Sequence, residues 1–488
     1  MTNENLENGT IDEKEKVTEF NIDDCVKNKK SKKALWKFYI SLMTASLLLV
    51  TTGSVMVWPS PVLPKLYSND TSINPLSEPM TPLETSILMS LAAAASILGF
   101  ILMAKLSDAF GRKLSMRVLG LVYAGSMTAI AFATNIYIYY VFFFLNGFVA
   151  AGILINVSIY SSEISEDKHR AWMGCVVGLM SPIGNLLGYI YGALIDSVKY
   201  FTIIIALPAF LHVVFSFFIT ESPTYLVGKK RKAEALDALK HLRKYSTVIS
   251  AELEYDSIEI FNACDTNDNN TVVGLFSNPA LRKGLFLGFT LFATQQLSGV
   301  PIILAYLGPI FNEAGATLSS DAVTIAFGAA QISVILVATF IVNRFGRRPL
   351  LLWSSLGCAI SLMFLTFYFY AQKIELSFVK DIRWLPIAFI IIFIISYGLG
   401  LGPIPMVLIG ELFRNDQRAL GVATITISQC VMSVIVNFGY PLLKGAFGLY
   451  LCLGIYCLST FIGFILLFFY LPETRGKSLS EIQDILSK

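Results

Sequence analysis

Apolar stretches of about 20 residues, the length that spans a bilayer as a helix, alternate with short polar ones along most of this chain. Twelve such runs lie near residues 38–58, 85–105, 115–134, 138–160, 172–194, 200–219, 284–306, 321–342, 349–371, 385–409, 419–440 and 448–471. A helix pairs its own backbone groups, which hydrocarbon demands. The pattern therefore predicts an all-α membrane protein with twelve transmembrane helices in two six-helix halves. The expected division is a cytoplasmic tail at 1–34, a first half at 35–220, a long cytoplasmic loop at 221–283, a second half at 284–471 and a short tail at 472–488.

The polar segments repeat in the same order in both halves. Asp108-Ala109-Phe110-Gly111-Arg112-Lys113 returns as Asn343-Arg344-Phe345-Gly346-Arg347-Arg348. Glu163 with Arg170 returns as Glu411 with Arg418, and Glu221-Ser222-Pro223 as Pro472-Glu473-Thr474. Three matched signals imply two homologous halves. The glycines permit a tight turn between helices. Asp108, Arg112, Glu163, Arg170, Arg344, Arg347, Arg348, Glu411, Arg418 and Glu473 form the expected gating salt bridges on the inner face.

Composition agrees. Hydrophobic residues make up 55% and charged residues 15%, against about 25% charge in a soluble domain. The net charge of +3 is no nucleic-acid signal, because the basic residues sort by side. Lys27, Lys29, Lys30, Lys32, Lys33 and Lys37 precede the first run. Lys105, Arg112 and Lys113 follow the second, Lys168 and Arg170 the fourth, Lys229 to Lys232 the sixth, and Arg344, Arg347 and Arg348 the eighth. The positive-inside rule makes that side cytoplasmic, with both termini inside. The loop after the ninth run is the exception, with Lys373, Lys380 and Arg383 outside. None of the seven cysteines falls in an outer loop, so no disulfide framework is expected. No spacing suits a metal, and no cofactor is implied. The first 34 residues are too polar for a cleavable signal.

A few polar groups fall inside the apolar runs. Gln295 and Gln296 are adjacent amides in the seventh, and Gln331 and Gln429 are single amides in the eighth and eleventh. Such groups face a polar cavity or bond between helices. Gly398 to Pro405 in the tenth run cannot be regular helix, and broken membrane helices line cavities or act as hinges. The first run should stop at Trp58-Pro59-Ser60-Pro61, with Trp58 either an interfacial belt residue or part of a gate. In the long loop, Ala233, Leu236, Leu239 and Leu242 share the apolar face of a predicted amphipathic helix. Residues 265–271 lack the glycine and terminal glutamate of a calcium loop. Asn69-Asp70-Thr71 is a glycosylation sequon in the first outer loop. The sequons at Asn8 and Asn269 are expected in the cytoplasm, and that at Asn156 within the fourth helix.

These motifs, with Gln295-Gln-Leu-Ser-Gly299, Gly402-Pro-Ile-Pro405 and Pro472-Glu-Thr-Arg-Gly-Lys-Ser-Leu479, resemble the sugar-porter family of the major facilitator superfamily. Trp58-Pro-Ser-Pro61 and Gln331 look most like the insect branch of facilitated trehalose transporters. The resemblance implies a hexose- or disaccharide-sized solute bound midway between the halves, with alternating access. Several positions depart from it. The family's glutamine in the fifth helix falls on Gly178, and the asparagine after the Gln-Gln-x-Ser-Gly motif is Pro301. The first of two paired tyrosines is Ala305, the second Tyr306. The tryptophan after Gly-Pro-Ile-Pro is Met406, and the asparagine-tryptophan of the eleventh helix is Gln429-Cys430. The acid before the second arginine motif is Asn343, and Ala104 opens the first loop motif in place of glycine. The shell is kept while much of the sugar cage is altered.

The first expectation is a facilitative carrier, a uniporter in the plasma membrane, acting as a monomer on a sugar such as trehalose or a hexose. Gln295, Gln296, Gln331 and Gln429 would bind hydroxyls, since neutral amides both donate and accept. Tyr306 and Met406 would be apolar walls. Ser181 and Asn185 share a helical face with Gly178, so they can supply, further along that face, the polar group that glycine lacks. The helices carry no buried carboxylate or arginine for ion coupling. Phe143 stands where proton-coupled relatives carry an arginine, and His212 reads as a satisfied polar residue. The alternatives are a transport-poor sugar sensor and a carrier of a non-sugar polar solute. An enzyme is not expected, because no nucleophile, base and orienting acid converge in the runs.

Overall fold

The computed structural model describes residues 35–475 apart from 77, 244–247, 265–278, 316–317 and 414, together with 477, 481 and 485. It is helical, with no strand among the described residues. The tail at 1–34 and the segment 265–271, including the Asn8 and Asn269 sequons, lie outside the described residues.

Twelve helical spans are long and apolar enough to cross a membrane: Trp36–Leu66, Pro82–Phe110, Arg112–Ala131, Ile136–Ile164, Trp172–Leu194 and Val198–Phe215 in the first half; Pro279–Ala314, Ser320–Val342, Arg347–Lys373, Leu385–Leu412, Leu420–Phe447 and Leu449–Tyr470 in the second. They are called spans 1 to 12 below. The protein is a twelve-span membrane protein. Large apolar side chains such as Phe340 and Trp353 are exposed, as expected of a surface solvated by lipid.

Three spans depart from a single regular helix. Span 1 does not stop at the Trp58-Pro59 step, as its prolines suggest. The helix Leu35–Met56 gives way to a second helix, Pro59–Leu66. Pro59 opens that second piece, where a missing N–H costs nothing. Span 7 is longer than the apolar run at 284–306 and is broken. Pro279–Leu297 ends at Gly299, whose left-handed φ of 76° admits glycine most readily, and Val300–Ala314 resumes. A Cβ at Gly299 would also stand 2.5 Å from the Tyr456 ring. Tyr306 adds a second kink, with φ −119° and ψ 18°. Span 10 breaks where its glycines and prolines predict, into Leu385–Leu399 and Ile404–Leu412.

The halves meet through span 5 against span 8 and span 2 against span 11. The second pieces of spans 1 and 7 also touch; they lie at the end that the basic loops predict to face outward, called outer below, and the opposite end is called inner. One buried apolar cluster runs from the first half into the outer part of the second, through Leu63, Leu304, Phe327 and Tyr440. The inner part of the second half, around Leu285, Leu351, Leu408 and Ile425, forms a cluster of its own. The halves are therefore packed together on the outer side and have separate cores on the inner.

Trp58 is fully buried, so the belt reading is wrong. Its Nε1 donates to Thr202 Oγ1 at 2.9 Å, and its ring meets Phe143 edge-on at 5.1 Å. The long loop forms helices Pro223–Gly228, Lys232–Arg243 and Val248–Cys264. Their buried face differs from the expected one: Ala235, Ala238, Leu239 and Leu242 are buried while Ala233 is exposed. Leu242 joins the core of the first half, so this subdomain is fastened to that half. Tertiary packing sets the buried stripe, one step round the helix from the sequence pattern.

Candidate functional site

At the inner end of each half a glycine turn carries an arginine. Arg112 follows Gly111, and Arg347 follows Gly346; both glycines have positive φ, 95° and 89°. A carboxylate sits over each turn. Glu221 accepts from the N–H groups of Arg112 and Lys113 at 3.1 Å. Glu473 accepts from those of Arg347 and Arg348 at 3.2 and 3.0 Å. A Cβ at Gly111 would lie 2.6 Å from the Glu221 carboxylate, and one at Gly346 2.9 Å from that of Glu473. Glycine is thus needed twice over, for its φ and for the approach of the acid. Each acid satisfies the free amides that begin a helix and faces its positive end.

The arginine side chains pair within their own half. Arg112 makes two hydrogen bonds to Glu163, Nε to Oε2 at 3.1 Å and Nη2 to Oε1 at 3.0 Å. Its Nη1 reaches Asp108 at 2.8 Å. Arg347 holds Glu411 through Nη2 alone at 2.8 Å, and Thr474 donates to the other Glu411 oxygen at 2.7 Å. Three members of the expected set play other parts. Glu473 binds backbone amides rather than an arginine side chain. Arg348 donates to the Phe468 carbonyl at 2.8 Å. Arg344 is exposed and takes part through its carbonyl, which accepts from Arg475. The side chains of Arg170, Arg418 and Asn343 lie outside the described residues.

Along the spans the amides come together in two groups. Gln295 donates from Nε2 to the carbonyls of Leu401 and Gly402, at 2.9 and 3.1 Å. These carbonyls belong to the turn that breaks span 10. Gln429 donates to Gln295 Oε1 at 3.3 Å. The break in span 7, the break in span 10 and span 11 therefore share one polar junction. Gln296 is buried beside it in sequence, and its Oε1 has no partner. The second group crosses between the halves: Asn185 Nδ2 in span 5 donates to Gln331 Oε1 in span 8 at 3.1 Å. Asn185 Oδ1 is buried and unpartnered. Buried polar atoms seldom lack partners, so these two oxygens stand out in the interior.

The other candidates vary. Ser181 is half-buried, and its backbone carbonyl lies against Gly53 of span 1. Gly178 is exposed, and nothing lies within 4 Å of where its Cβ would be. Tyr306 is buried with its ring 4.7 Å from that of Tyr440, and neither hydroxyl has a partner. Met406 is exposed. His212 is buried, and its Nδ1 bonds the Thr44 carbonyl at 2.7 Å. Asn69 is exposed.

On the outer side the halves are hydrogen-bonded. Tyr189 of span 5 donates to the Leu304 carbonyl of span 7 at 2.9 Å. The Gly308 amide of span 7 donates to Ser60 Oγ of span 1, also at 2.9 Å. Both bonds join the halves at the end of the spans opposite the glycine turns.

The sequence model of the family described as "Sugar (and other) transporter" matches residues 6–486. The chain belongs to this family. Among similar proteins, the probable metabolite transport protein CsbC of Bacillus subtilis is 27% identical over 84% of this chain and 88% of its own length. The facilitated trehalose transporter Tret1 of Drosophila willistoni is 28% identical over 92% of this chain. The Aedes aegypti protein of that name is also 28% identical over 92% of the chain. The chain spans about half the length of these trehalose transporters, 51% and 55%. Among solved structures, the xylose transporter XylE from E. coli in an inward-open conformation superposes with a TM-score of 0.77 at 19% identity. It covers 92% of this chain and 99% of XylE. The fold is that of a major facilitator transporter.

Sequence reasoning finds both amide groups but not the place of Glu221 in the inner-face set. The signal is present, since Glu221-Ser222 precedes its helix as Glu473-Thr474 precedes the tail. Tyr189 and Ser60 also escape it. A tyrosine in an apolar span and a serine between prolines carry no sign of a partner far along the chain.

Proposed function

We propose that this chain carries a sugar or related polyol across the plasma membrane by alternating access, as a uniporter, with both termini in the cytoplasm. The observation that carries the reading is the junction of Gln295, Gln429 and the span 10 turn. Two broken spans meet there around neutral amides, a chemistry suited to hydroxyls. Asn185 and Gln331 supply the opposing amides across the interface between halves. Relatives named for trehalose transport favour a disaccharide or hexose. Gly178 leaves room that a larger side chain would fill, which also favours a bulky substrate. A monomer in lipid and glycosylation at Asn69 complete the proposal.

Uniport rests on the spans: none of their described carboxylates lies at mid-membrane, and Phe143 packs on Trp58. Uptake of radiolabelled trehalose and glucose in transport-null cells tests the reading. Saturable uptake that a protonophore leaves unchanged is expected; accumulation against the gradient, abolished by a protonophore, would refute uniport. The same assay with Asn185→Leu should show affinity weakened about fivefold or more, the loss of a neutral hydrogen bond, at normal surface expression. A second reading, a transport-poor sensor, draws on the exposed Met406 and the altered cage. It predicts sugar binding without saturable uptake.

A further inference from the structure

In a regular helix the Gly308 amide pairs with the Leu304 carbonyl four residues back. Tyr306, between them, has left the helical region. Each of the two groups has a partner in the opposite half: Tyr189 donates to Leu304 O, and Gly308 N–H donates to Ser60 Oγ. Gly308 allows this approach, since a Cβ there would stand 3.0 Å from Ser60 Oγ and 3.2 Å from the Ser60 carbonyl. The two bonds flank one kinked turn of the outer piece of span 7.

We propose that Tyr189 and Ser60 are positioning residues of an outer latch. They hold the outer end shut through two hydrogen bonds between the halves, made to backbone groups of the kinked turn. Opening gives up both.

Packing supports the latch. The Tyr189 ring meets Phe327 of span 8 edge-on at 6.4 Å. Asn185 lies one turn inward on span 5 and bonds Gln331, one turn inward on span 8. The latch and the candidate sugar amides therefore lie on adjacent turns of one contact between spans 5 and 8. By contrast, the far end of the same piece is held from within its own half, by Tyr368 donating to the Ala314 carbonyl at 2.8 Å. That bond is indifferent to opening. The latch rests on the alternating-access reading but not on the identity of the solute.

The test uses the full-length protein in membranes with Ala305→Cys added, a position 6% exposed in the closed end. A membrane-impermeant maleimide is applied from outside without substrate, and mass spectrometry follows modification of the peptide holding that thiol. Tyr189→Phe and Ser60→Ala should each raise the labelling rate about fivefold, the usual effect of removing one hydrogen bond. Tyr368→Phe removes the same kind of bond from the same helical piece and should leave the rate unchanged. Parental rates in both latch variants, or an equal rise in Tyr368→Phe, would overturn the latch. Because no sugar is present, absence of uptake in the transport assay leaves this result standing. Normal uptake with unchanged labelling would sink the latch alone.

Discussion

The inner ends of the two halves carry the same turn with unequal charge. At Arg112 three acids converge: Asp108 and Glu163 on the side chain, and Glu221 on the backbone. Among the described residues there are two at Arg347, Glu411 and Glu473, with Thr474 beside them. The Arg347 Nε has no partner. The backbone cap is the same in both halves, and the side-chain pairing is not. Capping is therefore a requirement of the glycine turn, because the first amides of the next helix need an acceptor. The pairing is adjustable, and the second half has less of it.

The widest separation between the two nodes should come from deleting each arginine. Arg112 and Glu163 have side chains only 10% and 12% exposed, so Arg112→Ala removes two charge-assisted hydrogen bonds from a nearly buried carboxylate and should cost about 3 kcal/mol. Arg347 and Glu411 are 22% and 24% exposed, and Thr474 still donates to Glu411. Arg347→Ala should cost about 1 kcal/mol, near the value for a partly exposed pair. Thermal unfolding of the purified variants, followed by size-exclusion fluorescence, measures both. Equal losses would erase the asymmetry.

Acid sharpens the comparison at the cap. Burial alone raises the Glu473 pKa, but the N–H groups of Arg475, Arg347, Arg348 and Thr474 together outweigh it and hold the carboxyl below 4.5. A carboxylate depressed on folding contributes stability above its unfolded value and loses it as pH falls through the folded one. Stability should therefore fall below about pH 4.5, the ordinary carboxyl value. Glu473→Gln should be less stable than the parent at neutral pH and lose less on acidification. Melting temperatures of the two proteins from pH 7 to pH 3 should converge. Parallel curves across that range would mean the cap does not depend on charge.

Much of this is legible in the chain because lipid enforces simple rules. Twelve apolar runs, sorted basic loops and repeated motifs place every span, and the Gly398 to Pro405 run foretells the break in span 10. The break at Gly299 is not foretold, since a lone glycine in an apolar run also suits a packed helix. The span 1 prolines suggest an end because proline stops a helix, yet Pro59 starts one just as well. Ala233 falls on the wrong face because a helix with several alanines has more than one weakly apolar side. Gln295 and Gln429 announce themselves as amides in lipid. The Tyr189 and Ser60 bonds cannot be read, because their partners are backbone groups far along the chain.

The finest separation between the nodes is one charge, Asn343 against Asp108. Asp108 pairs with Arg112 from one turn back and is 69% exposed. The same spacing relates Asn343 to Arg347, so Asn343→Asp should create the missing pair. Its worth is limited: exposed pairs of this spacing contribute about 0.5 kcal/mol. A new anion in the last turn of Ser320–Phe345 also faces the negative end of that helix, which opposes the gain. On the other side, Arg347 has an Nε without a partner to offer. If these networks seal the inner face when the outer end opens, Asn343→Asp should favour the outward-open form about twofold, as a pair of that size allows. External labelling of the Ala305→Cys thiol reads that population, and a cycle with Arg347→Ala identifies the cause. The gain should vanish once Arg347 is gone. A gain of equal size without Arg347 would assign the effect to helix end charge instead, and no gain with Arg347 present would mean the side-chain pairing at this node does not bias the cycle.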